Sequence, residues 1–467
     1  MIEPTVLIIF GATGDLARRK LYPAFFDLFV KGLLPKKFAV LAFGRREFTD
    51  TSYREFVSEA LGERLTKASV ELSQKFLSGI HYVQGQFEDN QAYERLSERL
   101  GAIDREFNVC SNKLPYLAVP PNLYELILRQ LARSGLTIPC ADGKGWTRIL
   151  IEKPFGKDSE TATRLDRLLT KLFSENQIYR IDHYLAKETI QNILTFRFSN
   201  AIFEPLWNRK NIERIEIRMF EKDHIGSRGA FYDSIGTLRD VGQNHLLAML
   251  SLIMMEYPKT LDAVHIRKVR ARVLKQLVAV SGPALRKVIR GQYAGYRQAA
   301  GVGVASDTET FFSLTTGIRN SRWRGVSVEL SAGKALSETK TEINIHFKDV
   351  DCGIGDVKCN RNMLTFRIQP NEGISIVFWV KRPGFDMVPQ AQTLSFNYAD
   401  SIDAHLMPDA YERVLIDALR GDQMLFASTE ETEAAWKFIT PIIERWTKNK
   451  LLEYPEGISF EQLIAKS

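Results

Sequence analysis

The sequence predicts two domains: first an α/β domain with a doubly wound parallel sheet, then an α+β domain on a large, mostly antiparallel sheet. Three observations carry this. Thr5–Phe10 (TVLIIF) is a short apolar run rich in β-branched residues, closed by the turn Gly11-Ala12-Thr13-Gly14. Strand-like and helix-like patterns alternate up to about residue 180, as βαβ units require. Beyond that point, period-two strands follow one another with short polar turns, which is antiparallel patterning.

Taken in order, the helical pattern after the glycine turn places Leu16, Leu21, Phe25, Leu28 and Phe29 on one side, with Arg18, Arg19, Lys20 and Asp27 elsewhere. Phe38–Phe43 reads as a second buried strand, which completes a βαβ unit. Further strands are expected at Ile80–Val83, Leu114–Val119 and Thr147–Glu152, and helices around Tyr93–Leu100 and Asn122–Ser134. In the second half, helices are expected at Glu188–Phe196 and Gly242–Met255. Strands are expected at Ile212–Met219, Thr310–Thr315, Val326–Ser331, Glu342–Phe347, Leu364–Ile368 and Ser375–Val380. Helices near Asp409–Leu419 and Glu430–Thr447 close the chain, and the glycine-rich stretch Gly282–Asp307 reads as a long loop. The expected domains are residues 1–180 and 181–467.

A chain of 467 residues is long enough for these two domains. Its 45% hydrophobic and 25% charged residues are ordinary for a globular protein and exclude intrinsic disorder. The longest oily run, Leu246–Met255, is about half of what a membrane span needs, so no membrane association is expected. The first residues have no basic segment ahead of an apolar one, and four cysteines (Cys110, Cys140, Cys352, Cys359) are too sparse for a disulfide framework. Both observations point to a cytoplasmic protein. Cys352 and Cys359 lack a matching second pair, so no metal site is expected. The net charge of +7 is scattered rather than gathered on one element. Nucleic acid is therefore not expected as a partner. A small anionic substrate and a phosphate-bearing cofactor account for clusters such as Arg18-Arg19-Lys20.

Gly11-x-x-Gly14-x-x-Ala17 directly follows a strand and opens a helix, the Rossmann-like arrangement in which backbone approaches a pyrophosphate at a helix N-terminus. The candidate cofactor residues are Gly11, Ala12, Thr13, Gly14, Asp15 and Leu16. An acidic residue after the second strand holds the ribose hydroxyls of NAD. Here Gly44-Arg45-Arg46 stands instead, and the Arg45 guanidinium suits the 2′-phosphate of NADP. Arg46 reads equally as a solvated loop residue.

Three segments narrow the substrate: Glu152-Lys-Pro-Phe-Gly156, Arg180-Ile-Asp-His-Tyr-Leu-Ala-Lys-Glu188 and Arg239-Asp-Val-Gly-Gln-Asn-His-Leu-Leu247. Together with Gly11–Leu16 they resemble the signatures of the glucose-6-phosphate dehydrogenase family, in that family's order. The likeness continues through Arg322–Val326, Gly333-Lys334, Gln369-Pro-Asn371 and Pro408–Arg413. It implies oxidation of glucose 6-phosphate to 6-phosphoglucono-1,5-lactone with NADP+. By resemblance, His245 is the base that takes the C1 hydroxyl proton and Asp182 fixes its tautomer, roles that suit an imidazole and a carboxylate. The sugar phosphate falls to His183, Tyr184, Lys187 and Lys334, and the sugar hydroxyls to Glu221 and Asp240. Lys153 lies between substrate and nicotinamide, on a Lys153–Pro154 bond expected to be cis. Tyr124 has two readings, a residue lining the nicotinamide side and an ordinary core aromatic. A homodimer or homotetramer is implied, formed through the antiparallel sheet.

Four positions depart from the family pattern. Ala186 replaces a glycine, which would strain the chain if φ there were positive. Ser331 and Thr339 stand where basic residues are usual, and Gly242 where a bulkier residue is usual. The partial loss of basic residues, with Lys340 and Arg367 kept and Ser331 and Asn344 neutral, leads us to expect no second, structural NADP. Two alternatives accompany the main reading: an NAD(P)-dependent dehydrogenase of a related sugar or sugar phosphate, and a non-catalytic NADP or sugar-phosphate sensor.

Overall fold

The computed structural model describes residues 3–139, 145–280, 282–350, 361–401, 406–446 and 449–466. The chain forms two compact units. One comprises Met1–Ala186, Asp262–Val264 and Pro408–Thr429; the other comprises Lys187–Leu261, His265–Met407 and Glu430–Ser467. Residues 408–429 thus pack with the first unit, although a single cut near residue 180 assigned them to the second. Within that unit the helix Ala410–Arg420 lies on Tyr22–Val30, and Lys31 pairs with the Glu412 carboxylate.

The first unit contains β1 (Thr5–Phe10), β2 (Phe38–Gly44), β3 (Ile80–Gln84), β4 (Asn112–Leu117), β5 (Ile149–Ile151) and β6 (Ile178–Ile181). Its sheet order is β6-β5-β4-β1-β2-β3, all parallel, and the short strand Phe426–Ala427 adds antiparallel to β6. All six β1 side chains are buried, as expected of a central parallel strand covered on both faces. Since β1 pairs with both β2 and β4, strand order reverses there, and ligands of such sheets bind beyond the carboxyl ends at that point.

The second unit contains β7 (Ile212–Phe220), β8 (Ile289–Tyr293), β9 (Phe311–Thr316), β10 (Ser327–Gly333), β11 (Lys340–Phe347), β12 (Met363–Gln369), β13 (Gly373–Lys381) and β14 (Pro389–Asn397). With Phe426–Ala427 counted as β15, the last strand is β16 (Leu451–Tyr454). The order is β14-β13-β12-β11-β7-β10-β9-β8-β16, antiparallel except at β7–β10 and β8–β16. The stretch read as a loop, Gly282–Asp307, therefore holds a strand. Gly291 interrupts its pattern because a Cβ there would meet the Tyr454 ring at 3.1 Å. The helix expected over Gly242–Met255 starts earlier and in a different form: Leu238–Leu246 is π-helical and Leu247–Met254 is α-helical. The fully buried Arg197 guanidinium donates to the carbonyls of Leu252, Ile253 and Met255 at 2.8–3.0 Å, satisfying acceptors the helix end leaves open.

No helix among the described residues is long and apolar enough to cross a membrane. Cys140, Cys352 and Cys359 lie outside the described residues. Cys110, read as one of a set too sparse for a disulfide framework, is itself disulfide-bonded.

Candidate active site

In the first unit, the sequence-selected residues follow the carboxyl ends of neighbouring strands. Gly11 leaves β1 at φ +82°. A Cβ there would lie 2.4 Å from the Ala118 carbonyl oxygen and 2.7 Å from Val119, so only glycine lets this turn sit so close to the chain after β4. The Gly11 and Ala12 amides donate to the Phe43 carbonyl at 3.2 and 3.3 Å, and Gly14 N–H closes the turn on Gly11 at 2.9 Å. The chain is helical from Asp15, so the first helical amides, which have no intrahelical acceptor, open beside the turn. This cradle fits the pyrophosphate of a dinucleotide. Asp15 is exposed and faces Arg19 at 3.9 Å. Arg45 and Arg46 are exposed just past β2, and neither forms an ion pair among the described residues.

Past β5, the Glu152 side chain turns inward. It accepts from the Tyr116 hydroxyl at 2.5 Å, and burial pushes its carboxyl up to about 7. Lys153 follows, half-buried, on a cis bond to Pro154, as expected. Tyr124 is only 1% exposed in the hydrophobic core, and its hydroxyl donates to the Glu152 carbonyl at 2.9 Å. Of its two readings the structure supports core. The ring has no free surface, and its contact supports the strand end that carries Lys153.

Past β6, buried Asp182 accepts the Tyr184 amide at 3.0 Å, and His183 stacks on Tyr411 with ring centres 6.3 Å apart. Tyr184 and Ala186 are buried. Ala186 is not among the residues with positive φ, so the exchange of glycine for alanine carries no left-handed strain.

In the second unit, Lys187 precedes the helix Glu188–Phe198 and donates from Nζ to Gln369 at 2.6 Å. Glu221 leaves β7 and Lys334 leaves the neighbouring β10, so the parallel pairing of these strands brings the two residues together. The Lys334 ammonium bonds the Glu221 carboxylate. Two residues read as serving opposite ends of the substrate thus hold each other. The Lys334 backbone is fixed on both sides: its amide donates to Thr310 at 2.9 Å and its carbonyl accepts from Tyr454 at 2.8 Å. Its ammonium lies 5.6 Å from the centre of the Tyr232 ring. Burial, then the charge of Asp240, raises the Tyr232 hydroxyl well above its usual value.

Asp240 and His245 share the π-helical segment Leu238–Leu246, five residues apart, which is the hydrogen-bonding repeat of that helix. His245 is 1% exposed, and its amide donates to the Asn244 side chain at 2.6 Å. The segment opens on a residue the sequence reading missed. The buried carboxylate of Glu309 accepts the Leu238 amide at 3.0 Å, and burial raises it to about 7. Gly236 at φ +74° allows this, since a Cβ there would lie 2.4 Å from the carboxylate. Gly242 is equally constrained: a Cβ would meet Leu238 at 2.7 Å and Phe312 at 2.9 Å, so the bulkier residue usual there does not fit this packing. Ser331 bonds Ser313 at 2.9 Å, and Thr339 accepts the Lys222 amide at 3.0 Å, so both hydroxyls serve the protein itself. Among the described residues, no cluster of His, Cys, Asp or Glu could hold a metal.

A doubly wound sheet with a glycine turn at its switch point, joined to a second unit carrying a buried histidine and a lysine–carboxylate pair, fits the class of two-domain dinucleotide-binding dehydrogenases. Comparison with known proteins specifies it further. The chain matches "Glucose-6-phosphate dehydrogenase, NAD binding domain" over residues 8–192 and "Glucose-6-phosphate dehydrogenase, C-terminal domain" over residues 194–462. It is 40% identical to glucose-6-phosphate 1-dehydrogenase of Aggregatibacter actinomycetemcomitans, over all of this chain and 96% of that one. It is 38% identical to the Arabidopsis thaliana protein named glucose-6-phosphate 1-dehydrogenase 6, cytoplasmic, over 96% of this chain and 87% of that one. A solved glucose-6-phosphate dehydrogenase in complex with glucose-6-phosphate superposes with a TM-score of 0.91 at 33% identity, covering 99% of this chain and 97% of the other. The chain belongs to the glucose-6-phosphate dehydrogenase family.

Proposed function

We propose that this protein oxidises D-glucose 6-phosphate to 6-phospho-D-glucono-1,5-lactone with NADP+. The observation that carries the reading is the family match along both halves of the chain. The nicotinamide, when bound, accepts the C1 hydride. His245 takes the C1 hydroxyl proton, and Asp182 is the carboxylate that fixes the imidazole's tautomer. Burial keeps that base away from bulk water. Lys187, His183, Tyr184 and Lys334 bind the sugar phosphate, and Glu221 and Asp240 accept from sugar hydroxyls. Lys153 positions the reacting end. Gly11–Leu16 cradle the pyrophosphate, and Arg45 pairs with the 2′-phosphate through a planar fork suited to that group.

Residues 1–180 carry the cofactor, and residues 181–467 carry the substrate and the contacts of a homodimer or homotetramer. The Arabidopsis relative's name supports a cytoplasmic location. One observation favours a second reading, a related sugar. Ser331 and Thr339, where cations are usual, spend their hydroxyls on the protein.

The test is NADPH formation at 340 nm with glucose 6-phosphate, wild type beside His245→Asn. Loss of the base is expected to lower kcat by about 10³-fold. Equal rates in the two proteins would remove His245 from the role, and no turnover by wild type would remove the function.

A further inference from the structure

The glycine turn and the basic loop past β2 are held by one cluster of buried tyrosines. Two hydroxyls reach the Ala12 carbonyl inside the turn: Tyr53, from the helix Asp50–Leu61, at 2.9 Å, and Tyr22, from the helix Tyr22–Val30, at 3.2 Å. They also lie within hydrogen-bonding reach of each other, so at any moment their two protons serve two of these three contacts. Tyr82 on β3 stacks on Tyr53, with ring centres 4.5 Å apart, and donates from its hydroxyl to the Arg46 carbonyl at 2.6 Å. Phe48, two residues further along the same loop, packs its ring against both Tyr53 and Tyr82 at 5.5 Å. Gly44 lies between the two segments: a Cβ there would sit 3.0 Å from the Tyr82 hydroxyl and 3.6 Å from the Thr13 methyl. Burial pushes the Tyr82 phenol up to about 12 and the Tyr53 phenol higher still, so both keep their protons and donate at any working pH.

We propose that Tyr82 and Tyr53 are positioning residues that divide cofactor recognition. Tyr82 sets the basic loop against the 2′-phosphate, and Tyr53 sets the glycine turn against the pyrophosphate. The inference rests on the reading of Arg45 as the 2′-phosphate ligand. Preorganisation links the pinned loop to affinity. A flexible loop must be ordered when the anion binds, at a cost in affinity, whereas a loop pinned through its own carbonyl is ordered beforehand. The Arg45 and Arg46 guanidiniums stay exposed, while the backbone that carries them is tied to a buried ring. Only the 2′-phosphate distinguishes NADP from NAD, so the two tyrosines act on different parts of one ligand.

The experiment is calorimetric titration of the full-length protein with NADP+, NAD+ and adenosine 2′,5′-bisphosphate, read as Kd, with Tm recorded for each variant. Tyr82→Phe is expected to weaken NADP+ and the bisphosphate by about 5-fold, the worth of one hydrogen bond, and to leave NAD+ within twofold. Gly44→Ala, which crowds the same hydroxyl from the other side, should reproduce that pattern. Tyr53→Phe should weaken NADP+ and NAD+ by the same factor. Arg45→Ala is the reference arm and should weaken NADP+ and the bisphosphate but not NAD+. If it does so while Tyr82→Phe and Gly44→Ala leave the NADP+/NAD+ ratio unchanged, the inference is overturned and the reading of Arg45 stands. If Arg45→Ala also leaves the ratio unchanged, both fall. A lowered Tm with NADP+ and NAD+ weakened alike in Tyr82→Phe would make Tyr82 merely structural.

Discussion

The two units hold their cationic groups in opposite ways. Past β2, the Arg45 and Arg46 side chains form no ion pair among the described residues, and the loop beneath them is held by the neutral Tyr82 phenol. Past β10, Lys334 is 3% exposed and already bonded to the Glu221 carboxylate, and Lys340 lies within 2.7 Å of Glu338 and 3.4 Å of Glu342. An exposed, unpaired guanidinium meets an incoming phosphate with little to give up. A buried lysine needs its carboxylate, because a lone ammonium taken out of water is costly. On the proposed assignment of these residues, cofactor affinity rests on loop geometry, whereas the substrate end rests on a charge pair that the ligand must share. The supports of the two regions differ likewise. Phenols that do not titrate near neutrality hold the glycine turn, and a carboxyl raised to about 7 caps the segment of Asp240 and His245.

The largest effect should come from breaking the geometry of the first region. Gly11→Ala adds a Cβ at positive φ against the Ala118 carbonyl and should cost about 3 kcal/mol in urea unfolding, with NADP+ binding lost. The second prediction concerns the carboxyl. Glu309 in the folded protein holds its proton up to about pH 7, above the ordinary carboxyl value of the unfolded chain. Its contribution is full below that ordinary value, is lost as pH rises toward 7, and is flat beyond. Glu309→Gln should therefore remove a fall on the order of 3 kcal/mol between pH 4.5 and 7, read as ΔG of unfolding against pH. The smallest effect tests the charge pair. Lys334→Ala should lower stability by about 2 kcal/mol, because it strands Glu221, and should raise KM for glucose 6-phosphate. Adding Glu221→Gln should recover the Tm and leave KM high. Recovery of both would remove Lys334 from the substrate site.

Much of this was legible in the sequence where the signal is local. Thr5–Phe10 is a run of apolar residues with nowhere to go but a sheet, and Gly11 after it demands a turn that no side chain allows. Lys153 before Pro154 and the Arg45-Arg46 pair mark strand ends by position alone. What escaped depends on partners far away in the chain. Nothing local singles out Tyr53 and Tyr82, since the carbonyls they hold are 41 and 36 residues distant. Glu309 caps a segment that begins 71 residues earlier. The strand Ile289–Tyr293 was hidden by Gly291, whose missing side chain is what lets Tyr454 approach. Tyr124 had two readings in the sequence, and its burial, which no local pattern announces, favours the core one.

On the proposed function, this chain turns over a phosphorylated sugar by means of these cations. The most direct measurement is kcat/KM with NADP+ for glucose 6-phosphate against free glucose. If Lys187, Lys334 and their neighbours bind the phosphate, the ratio should exceed about 100-fold, the worth of two charge-assisted hydrogen bonds. A ratio near one, or turnover of glucose alone, would contradict it.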